Sequence, residues 1–262
     1  MTGKIRFLLR YIHYYLTAQT KHDIHSPFLF DLVTKTICNR DSKKIFSPIE
    51  KIRRELLNNY EHISIRDFGA GFSGTVYHDR TISFITKNSG KNPKYSRLLY
   101  HLTNHLKPKC MIELGTSAGI SAAYQSLGNP QGKFFTIEGC KQTAALAKQT
   151  FEKLEVNNII LINDEFENGL KKIFAERQQI DYVFIDGNHR KAPTLHYFDQ
   201  CLNHSVPTAV FIIDDINWSH EMCEAWQSII LHPRVTISID LFMMGIVFIN
   251  PQFSKEHFRI RF

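Results

Sequence analysis

From residue 110 onward the chain alternates short apolar runs with stretches of helical periodicity. Five runs are apolar along almost their whole length, as in parallel strands covered on both faces. These runs are Cys110–Gly115, Lys133–Gly139, Asn158–Asp164, Asp181–Gly187 and Thr208–Asp215. The segments between and after them predict helices over Ser117–Ser126, Lys141–Leu154, Phe166–Glu176, Ala192–Leu202 and Ser219–Ile230. This alternation predicts a parallel sheet with right-handed crossovers.

Two further apolar runs follow near the C-terminus, Val235–Asp240 and Gly245–Asn250. Only Leu241–Met244 separates them, and a parallel crossover needs a dozen or more residues. The pattern therefore predicts an antiparallel pair at the edge of the sheet.

The first 92 residues have a different, helical pattern. Ser26 and Pro27 predict an N-cap and first residue of a helix reaching Cys38. The sequence Ser47-Pro48-Ile49-Glu50 predicts a capping box that starts a helix running to about Tyr60. Further helices are predicted over Ile5–Thr20 and Pro93–Leu106. We interpret residues 1–92 as an N-terminal helical cap on an α/β domain of residues 93–262.

Composition narrows the class of protein. Hydrophobic residues make up 43% of the chain and charged residues 22%, which excludes intrinsic disorder. No apolar run has the length of a membrane span, and Arg10 and His13 interrupt the N-terminal apolar stretch, so no signal peptide is expected. The five cysteines are scattered without CxxC spacing. This argues against a disulfide framework or a zinc site and favours a reducing cytoplasm.

The formal net charge of +7 lies in the N-terminal third. Residues 1–92 hold 15 Lys and Arg against 8 Asp and Glu, whereas residues 93–262 hold 17 of each kind. A basic segment can attract phosphates, acidic carriers or a membrane surface. A solvated helical face is the simpler interpretation.

The end of the first strand carries the strongest chemical signal. Glu113 is followed by Gly115, Thr116, Ser117 and Gly119 in an ExGxxxG pattern that enters a helix. Ligands of open α/β sheets bind beyond the carboxyl ends of the strands, where glycines let the backbone approach them. The acid favours a cationic or amino-acid-bearing ligand over a pyrophosphate. Together with the missing GxGxxG, it disfavours a nicotinamide oxidoreductase.

Two more acids end the next strands. Glu138, followed by Gly139, stands 25 residues after Glu113, and dinucleotide-binding folds place a ribose-binding acid at about that distance. Asp164 ends the third strand, where an adenine would lie. Three acids at successive strand ends, with the glycine turn, predict one line of contacts to a nucleoside ligand.

These motifs resemble class I S-adenosylmethionine-dependent methyltransferases, and more closely the O-methyltransferases of the catechol and caffeoyl-CoA type. The resemblance covers residues 93–250 and implies a Rossmann-like, seven-stranded, mostly parallel sheet in the order 3-2-1-4-5-7-6. It implies that Gly115 and Ser117 lie near the methionine moiety, Glu138 at the ribose and Asp164 near the adenine. The full predicted cofactor set is Glu113, Gly115, Thr116, Ser117, Gly119, Glu138, Gly139, Asp164 and Asp186.

The fourth and fifth strands also end in acids, Asp186 in one and Asp214 and Asp215 in the other. Adjacent parallel strands would bring the three carboxylates together, where they repel each other unless a cation neutralises them. An oxygen-ligand site for Mg²⁺ resolves the repulsion and would lower the pKa of a bound substrate hydroxyl. The alternative is that one or two of these acids cap a helix or accept backbone N–H bonds.

His189 follows Asp186 by three residues, and an imidazole can accept a hydroxyl proton near neutral pH. The catechol type has a lysine here, whereas some metal-dependent sugar O-methyltransferases of macrolide pathways have a histidine with an acidic pair on the next strand. The chain is similar to the latter. It departs from the catechol-type Asp-Asn pair because Ile216 follows Asp215.

The predicted function is methylation of a small-molecule hydroxyl, with Asp186 and His189 as catalytic residues. The alternatives are a nucleic-acid methyltransferase that uses the basic N-terminal segment and a ligand-binding scaffold. The apolar N-terminal helix serves either as a cap or as a homodimer interface. The stretch Asp67–Gly71 (DFGAG) also resembles a methyltransferase glycine turn. No acidic strand end follows it, so it predicts a tight loop.

Overall fold

The structure is a computed structural model that describes residues 3–24, 26–39, 43–66, 77–88 and 90–262. The chain divides into two compact units. The first unit comprises Met1–Cys38 and Gln179–Phe262, and the second comprises Asn39–Gln178. The boundary predicted between residues 92 and 93 stays a prediction. The predicted loop Asp67–Gly71 lies outside the described residues.

The N-terminal part of the first unit is helical. Helix α1 spans Gly3–Thr17 and α2 spans Pro27–Leu32, continuing as a π-helical turn over Val33–Ile37. As predicted, Ser26 caps α2, because its side chain accepts a hydrogen bond from the Leu29 N–H. The inner face of α1 is aromatic: Tyr14 is buried and lies 5.3 Å from the ring of Phe242.

The second unit contains helices, a hairpin and three parallel strands. In chain order its elements are α3 (Ser47–Leu57), β1 (His62–Arg66), β2 (Tyr77–Thr81), α4 (Ile82–Asn88), α5 (Pro93–Leu106), β3 (Cys110–Leu114), α6 (Ile120–Gly128), β4 (Lys133–Glu138), α7 (Lys141–Lys153), β5 (Ile159–Asn163) and α8 (Phe166–Ala175). Strands β1 and β2 form an antiparallel hairpin. The hydrophobic pattern predicted neither this hairpin nor α4.

The capping box predicted at Ser47 is wrong. A 3₁₀ turn over Lys43–Phe46 leads directly into α3, and Phe46 before the helix has φ −87° and ψ −4°. A side-chain N-cap needs a residue in the extended region, so Ser47 is instead the first helical residue. Glu50 accepts a hydrogen bond from the hydroxyl of Tyr124 at 2.5 Å. The helix ends at Leu57, before the predicted Tyr60.

The rest of the first unit consists of five strands and two helices in the part that the structure describes. Its elements are β6 (Ile180–Ile185), α9 (Lys191–Asn203), β7 (Ser205–Asp214), α10 (His220–Leu231), β8 (Ile237–Asp240), β9 (Met244–Phe248) and β10 (Glu256–Arg259). Strands β6 and β7 are parallel, and β9 pairs antiparallel with both β7 and β8. The predicted antiparallel pair near the C-terminus is therefore confirmed.

The described strands of the sheet, three in the second unit and five in the first, are mainly parallel. The strand order is β5-β4-β3 in the second unit and β6-β7-β9-β8-β10 in the first. Both parts match the predicted order 3-2-1-4-5-7-6, but the predicted count of seven is wrong because β10 adds a strand parallel to β8. The segment Glu256–Arg259 has one buried apolar residue, Phe258, which is too weak a pattern to predict a strand.

Burial differs between the central and the edge strands. All five residues of β3 are buried, as its continuous apolar run predicted, and all five of β9 are buried too. The prediction that Asn158–Asp164 is covered on both faces is wrong, because β5 lies at the edge of the strand order and its Ile160 is 41% exposed. Among the described residues, no helix is long and apolar enough to cross a bilayer.

Candidate cofactor turn and acidic cluster

The turn between β3 and α6, residues 115–119, is the candidate cofactor turn. It has a backbone conformation that few residue types adopt. Gly115, Ser117 and Gly119 all have positive φ values, of 101°, 48° and 82°. The N–H groups of Gly115 and Thr116 donate to the Ile137 carbonyl, which ties the turn to β4. Left-handed conformations favour glycine. The non-glycine residue in this conformation, Ser117, marks a strained position of the kind that clusters at ligand sites.

The backbone N–H of Ser117 has a hydrogen-bond partner, whereas its side-chain hydroxyl has none among the described residues. Its N–H donates to Glu138 Oε2 over 2.9 Å. Its Oγ is buried and has no hydrogen-bond partner among the described residues. A buried hydroxyl without a partner costs free energy, so this atom suits a polar group of a bound ligand.

The carboxylate of Glu138 is held by main-chain donors. Oε1 accepts a hydrogen bond from the Cys140 N–H over 2.9 Å, and Oε2 accepts the one from Ser117. Burial raises the pKa of the Glu138 carboxyl above its usual range, and the hydrogen bonds from Cys140, Ser117 and Gly139 oppose that rise. Each carboxylate oxygen can accept about two hydrogen bonds. Both therefore keep acceptor capacity for a diol.

Glu113, in contrast, points into the protein and is 0% exposed. Oε1 accepts hydrogen bonds from Ser121 Oγ and Gln125 Nε2, and Oε2 accepts one from Thr136 Oγ1. Thr136 also shares a hydrogen bond with the Thr116 hydroxyl. Burial raises the pKa of the Glu113 carboxyl to about 7. This network fixes the turn from within, and a direct contact between Glu113 and a ligand stays a prediction.

Asp164 lies on the surface, just past the end of β5. Its carboxylate accepts hydrogen bonds from the Glu165 N–H, from Asn168 Nδ2 and from Lys172 Nζ at 2.7 Å. The Lys172 ammonium and these donors hold the pKa of Asp164 below its usual range. Gly139 leads from β4 toward α7, and its carbonyl accepts a hydrogen bond from Asn163.

Glycine at position 119 has a packing reason as well as a conformational one. A Cβ at this position would lie 2.8 Å from Phe151 Cε1 and 3.3 Å from Ala147 Cα. The first turn of α6 therefore sits directly on α7. This close approach shapes the turn but does not itself contact a ligand.

In the first unit, the structure brings Asp186, His189 and Asp214 together. One potential ligand atom from each residue lies within 4.8 Å of the others. The parallel register Ile185↔Ile213 accounts for this, because it sets Asp186 beside Asp214 at the ends of β6 and β7. We refer to these three residues and Asp215 as the acidic cluster.

His189 lies between two carboxylates of the acidic cluster. Nε2 is 3.9 Å from Asp186 Oδ1, and Nδ1 is 3.8 Å from Asp215 Oδ2. Asp214 is 3% exposed. Asn188 and Asp215 both have positive φ values, of 54° and 55°. Oxygen and imidazole ligand atoms at these distances suit a hard divalent cation.

Sequence reasoning missed a cavity of about 300 Å³ in the first unit. It lies at the carboxyl end of β8, against the inner side of α1. Its lining residues are Leu9, Arg10, His13, Tyr14, Asn217, Asp240 and Arg259. Asp240, the acid that ends the run Val235–Asp240, could have indicated a polar site at this strand end. No local sequence pattern connects it with Arg10, another charged residue that lines the cavity.

Comparison with known proteins finds a family that this stretch resembles. Residues 112–216 match the profile of a family described as a methyltransferase domain. The chain is similar to this family over that part of its length. The match includes both the cofactor turn and the acidic cluster. The family resemblance and the Rossmann-like fold predicted from the sequence are therefore confirmed.

Relatives and solved structures agree with this assignment. A catechol O-methyltransferase of Niastella koreensis is 25% identical over 128 residues, which are 48% of this chain and 57% of the relative. An O-methyltransferase of Bacillus cereus, solved in complex with SAH, superposes with a TM-score of 0.55 at 17% identity, covering 83% of this chain and 96% of that one. A methyltransferase of Podospora anserina, also SAH-bound, gives 0.58 at 14% identity, covering 82% and 91%. At these identities the structures support the fold alone.

The chain spans about half the length of the curated relatives that it matches, 57% of one and 40% of another. What those whole proteins do is accordingly carried to this chain only as a proposal.

Proposed function

We propose that this methyltransferase domain transfers a methyl group from S-adenosylmethionine to a hydroxyl oxygen of a small molecule. The observation that carries the proposal is the β3–α6 turn. There the buried, unpartnered Oγ of Ser117 lies next to a Glu138 carboxylate that keeps acceptor capacity. The domain match and the catechol O-methyltransferase among the relatives support the reaction class. They do not favour the nucleic-acid alternative.

Four residues would hold the cofactor. The positive-φ backbone at Gly115 and Ser117 leaves room for the methionine part, the Glu138 carboxylate would accept the ribose hydroxyls, and Asp164 would lie at the adenine. When bound, S-adenosylmethionine supplies an electrophilic methyl group on a sulfonium. The Glu138 carboxylate beside the turn complements that positive charge.

His189 would act as the general base. Its imidazole accepts the proton of the acceptor hydroxyl, which leaves the oxygen with the electron pair that forms the new C–O bond. The carboxylates of Asp186 and Asp215, 3.9 and 3.8 Å from the two ring nitrogens, stabilise the imidazolium that results. They also orient the ring, a role that a carboxylate often plays beside a catalytic histidine.

Of the predicted ligands Asp186, Asp214 and Asp215, the first and second would hold Mg²⁺, because ligand atoms of Asp186 and Asp214 lie within 4.8 Å of each other. Two carboxylates fit this ion, which is bound through one or two of them and keeps several waters. When bound, the ion lowers the pKa of a hydroxyl that coordinates to it. The residues themselves would position the acceptor oxygen near His189.

We also propose a cytoplasmic homodimer. All five cysteines are free, which suits a reducing compartment. Ile5, Leu8, Ile12 and Leu16 follow one another at helical spacing on α1 and are 45–74% exposed, and a second copy would cover them. Sedimentation velocity of the wild-type protein and of Leu8→Lys tests this. A wild-type monomer at every concentration would disprove the dimer.

Calorimetric titration with S-adenosylhomocysteine, with and without Mg²⁺, tests the cofactor assignment. Glu138→Gln should weaken binding at least tenfold, because its amide –NH₂ cannot accept a backbone N–H bond. Glu152→Gln, an exposed change on α7, is the matched control and should bind as the wild type does. Turnover is then followed as S-adenosylhomocysteine release with phenols, sugars and hydroxy acids. A wild-type protein that binds no S-adenosylhomocysteine would refute the proposal.

A further inference from the structure

We infer that the cavity of the first unit binds an anionic group of the acceptor substrate, a carboxylate or a phosphoryl group, through Arg10. The inference deepens the proposed function, and the statement that the anion belongs to the methyl acceptor rests on that function. The charges and hydrogen bonds around the cavity support the anion site independently of it.

The guanidinium of Arg10 differs from the other polar groups of this cavity in its lack of hydrogen-bond partners among the described residues. Its Nε is buried, and neither Nε nor the rest of the guanidinium has a hydrogen bond or ion pair among the described residues. Leaving a charged donor without an acceptor costs more than leaving a neutral one. An anionic hydrogen-bond acceptor in the cavity would therefore satisfy the buried Nε–H of Arg10.

The other polar side chains of the cavity are already engaged. Asp240 accepts hydrogen bonds from the Phe242 N–H at 2.8 Å and from Arg259 Nε at 3.4 Å. Arg259 also donates to Thr17 Oγ1 and contacts His13 Nε2. The negative charge of Asp240 is thus matched by Arg259, and the positive charge of Arg10 remains in excess.

Tyr14 and Asn217 are engaged as well. The Tyr14 hydroxyl donates to the Ile260 carbonyl and accepts from the Phe262 N–H. Asn217 donates to the Phe242 carbonyl and accepts from the thiol of Cys223. The Tyr14 ring therefore offers the cavity an apolar wall, which suits the carbon body of a ligand. A cationic ligand would meet Arg10 and Arg259, and a neutral one would leave Nε of Arg10 unpaired.

The cavity lies within a small molecule's length of the acidic cluster. Asp214 on β7 pairs with Met244 of β9, and Asp240 on β8 pairs with the adjacent Gly245. Because β7 and β8 flank β9 and neighbouring strands are about 4.8 Å apart, the Cα atoms of Asp214 and Asp240 lie about 10 Å apart. Asn217 lines the cavity and belongs to the turn that the Trp218 N–H closes on the Asp215 carbonyl. Met244 and Gly245 are consecutive in β9, so the side chains of Asp214 and Asp240 leave opposite faces of the sheet. An acceptor that reaches both the cavity and the acidic cluster therefore passes around the strand ends.

The test compares probes that share a ring but differ in charge: benzoate, phenyl phosphate and neutral benzyl alcohol. Binding is followed by ¹H–¹⁵N NMR on the indole N–H of Trp218, next to Asn217. The chain has two tryptophans, so Trp218→Phe assigns the signal. The variants are Arg10→Gln, Arg10→Lys and, as matched control, Arg6→Gln, which removes the same charge from an exposed position of the same helix.

At least one of the two anions should shift the Trp218 signal saturably, and which one does so separates a carboxylate from a phosphoryl site. Arg6→Gln should keep the wild-type affinity within twofold, Arg10→Gln should lose at least tenfold, and Arg10→Lys should fall between. Benzyl alcohol should bind at least fivefold more weakly than the better anion.

Equal affinity for benzyl alcohol and the anions would overturn the inference, as would wild-type binding by a folded Arg10→Gln. If Arg10→Gln does not fold, the charged and neutral probes on the wild type still decide. Titration with S-adenosylhomocysteine separates the two proposals. Its failure on the wild type removes the methyltransferase function, whereas a lost anion site leaves S-adenosylhomocysteine binding unchanged.

Discussion

Glu113 Oε2 accepts a hydrogen bond from Thr136 Oγ1 over 2.6 Å, inside the second unit and away from solvent. Thr136 is in turn bonded to the hydroxyl of Thr116. The acid that ends the first strand of the sheet is thereby connected to the backbone of the cofactor turn. Its protonation state should therefore affect the stability of the unit that contains the turn.

Folding stability should fall as pH rises between about 4.5 and 7 because of Glu113. Its pKa is about 7 in the folded protein against an ordinary value of 4.5 in the unfolded chain, so between these two pH values the folded state holds a proton that the unfolded state has released. The stabilisation is complete below pH 4.5 and is lost as pH rises through 7, by about 3 kcal/mol in all. Urea unfolding of Glu113→Gln over this range should show a smaller slope than the wild type.

The glutamine suits this test because it mimics the protonated acid. Its carbonyl can accept from Ser121 and Gln125, and its –NH₂ can donate to Thr136, whose hydroxyl then donates to Thr116. Glu152→Gln on the surface is the control and should leave the slope unchanged. An identical pH dependence in Glu113→Gln and the wild type would show that the buried carboxyl is ionised throughout.

Turnover and cofactor binding should separate in variants of the acidic cluster. His189→Gln and Asp186→Asn should lower kcat by about 10²- to 10⁴-fold, the usual contribution of a general base. Both should keep the affinity for S-adenosylhomocysteine within about twofold. His220→Gln, an exposed change near Glu224, is the control. Parallel loss of kcat and S-adenosylhomocysteine affinity would contradict the assigned roles.

Divalent-ion binding should depend on Asp214. Mn²⁺, an oxygen-seeking substitute for Mg²⁺, is titrated by electron paramagnetic resonance into the wild type, Asp214→Asn and the exposed control Asp199→Asn. The control should bind as the wild type does, and Asp214→Asn should bind at least tenfold more weakly. If all three proteins bind equally, the ion is not held by the acidic cluster.

Much of the sheet could be predicted because strands buried on both faces leave a continuous apolar signature. The strand-end acids Glu138, Asp186 and Asp214 were found in this way, since a parallel sheet carries its strand ends to one edge. Strand β10 was missed because its pairing with β8 depends on backbone bonds rather than on apolar side chains.

Side-chain direction and long-range contacts could not be predicted. Spacing places Glu113 at a strand end, but packing decides that its carboxylate bonds Ser121 and Gln125 instead of facing outward. Similarly, Arg10 and Asp240 are 230 residues apart in the sequence. Only the folded chain brings them to one cavity.

Gly119→Ala should destabilise the protein by about 2 to 5 kcal/mol. A methyl group there would lie 2.8 Å from the Phe151 ring, and overpacking of this kind costs about 1 to 3 kcal/mol. A further 1 to 2 kcal/mol, roughly, comes from the left-handed backbone at φ +82°.

The double variant Gly119→Ala with Phe151→Leu separates these two costs in thermal unfolding. It should recover the packing cost and keep the backbone cost, after subtraction of the effect of Phe151→Leu alone. Full recovery would mean that the backbone adds no strain, and no recovery would mean that the ring already moves aside. Because residue 119 shapes the turn that carries Ser117, the variant should also bind S-adenosylhomocysteine more weakly even where it remains folded.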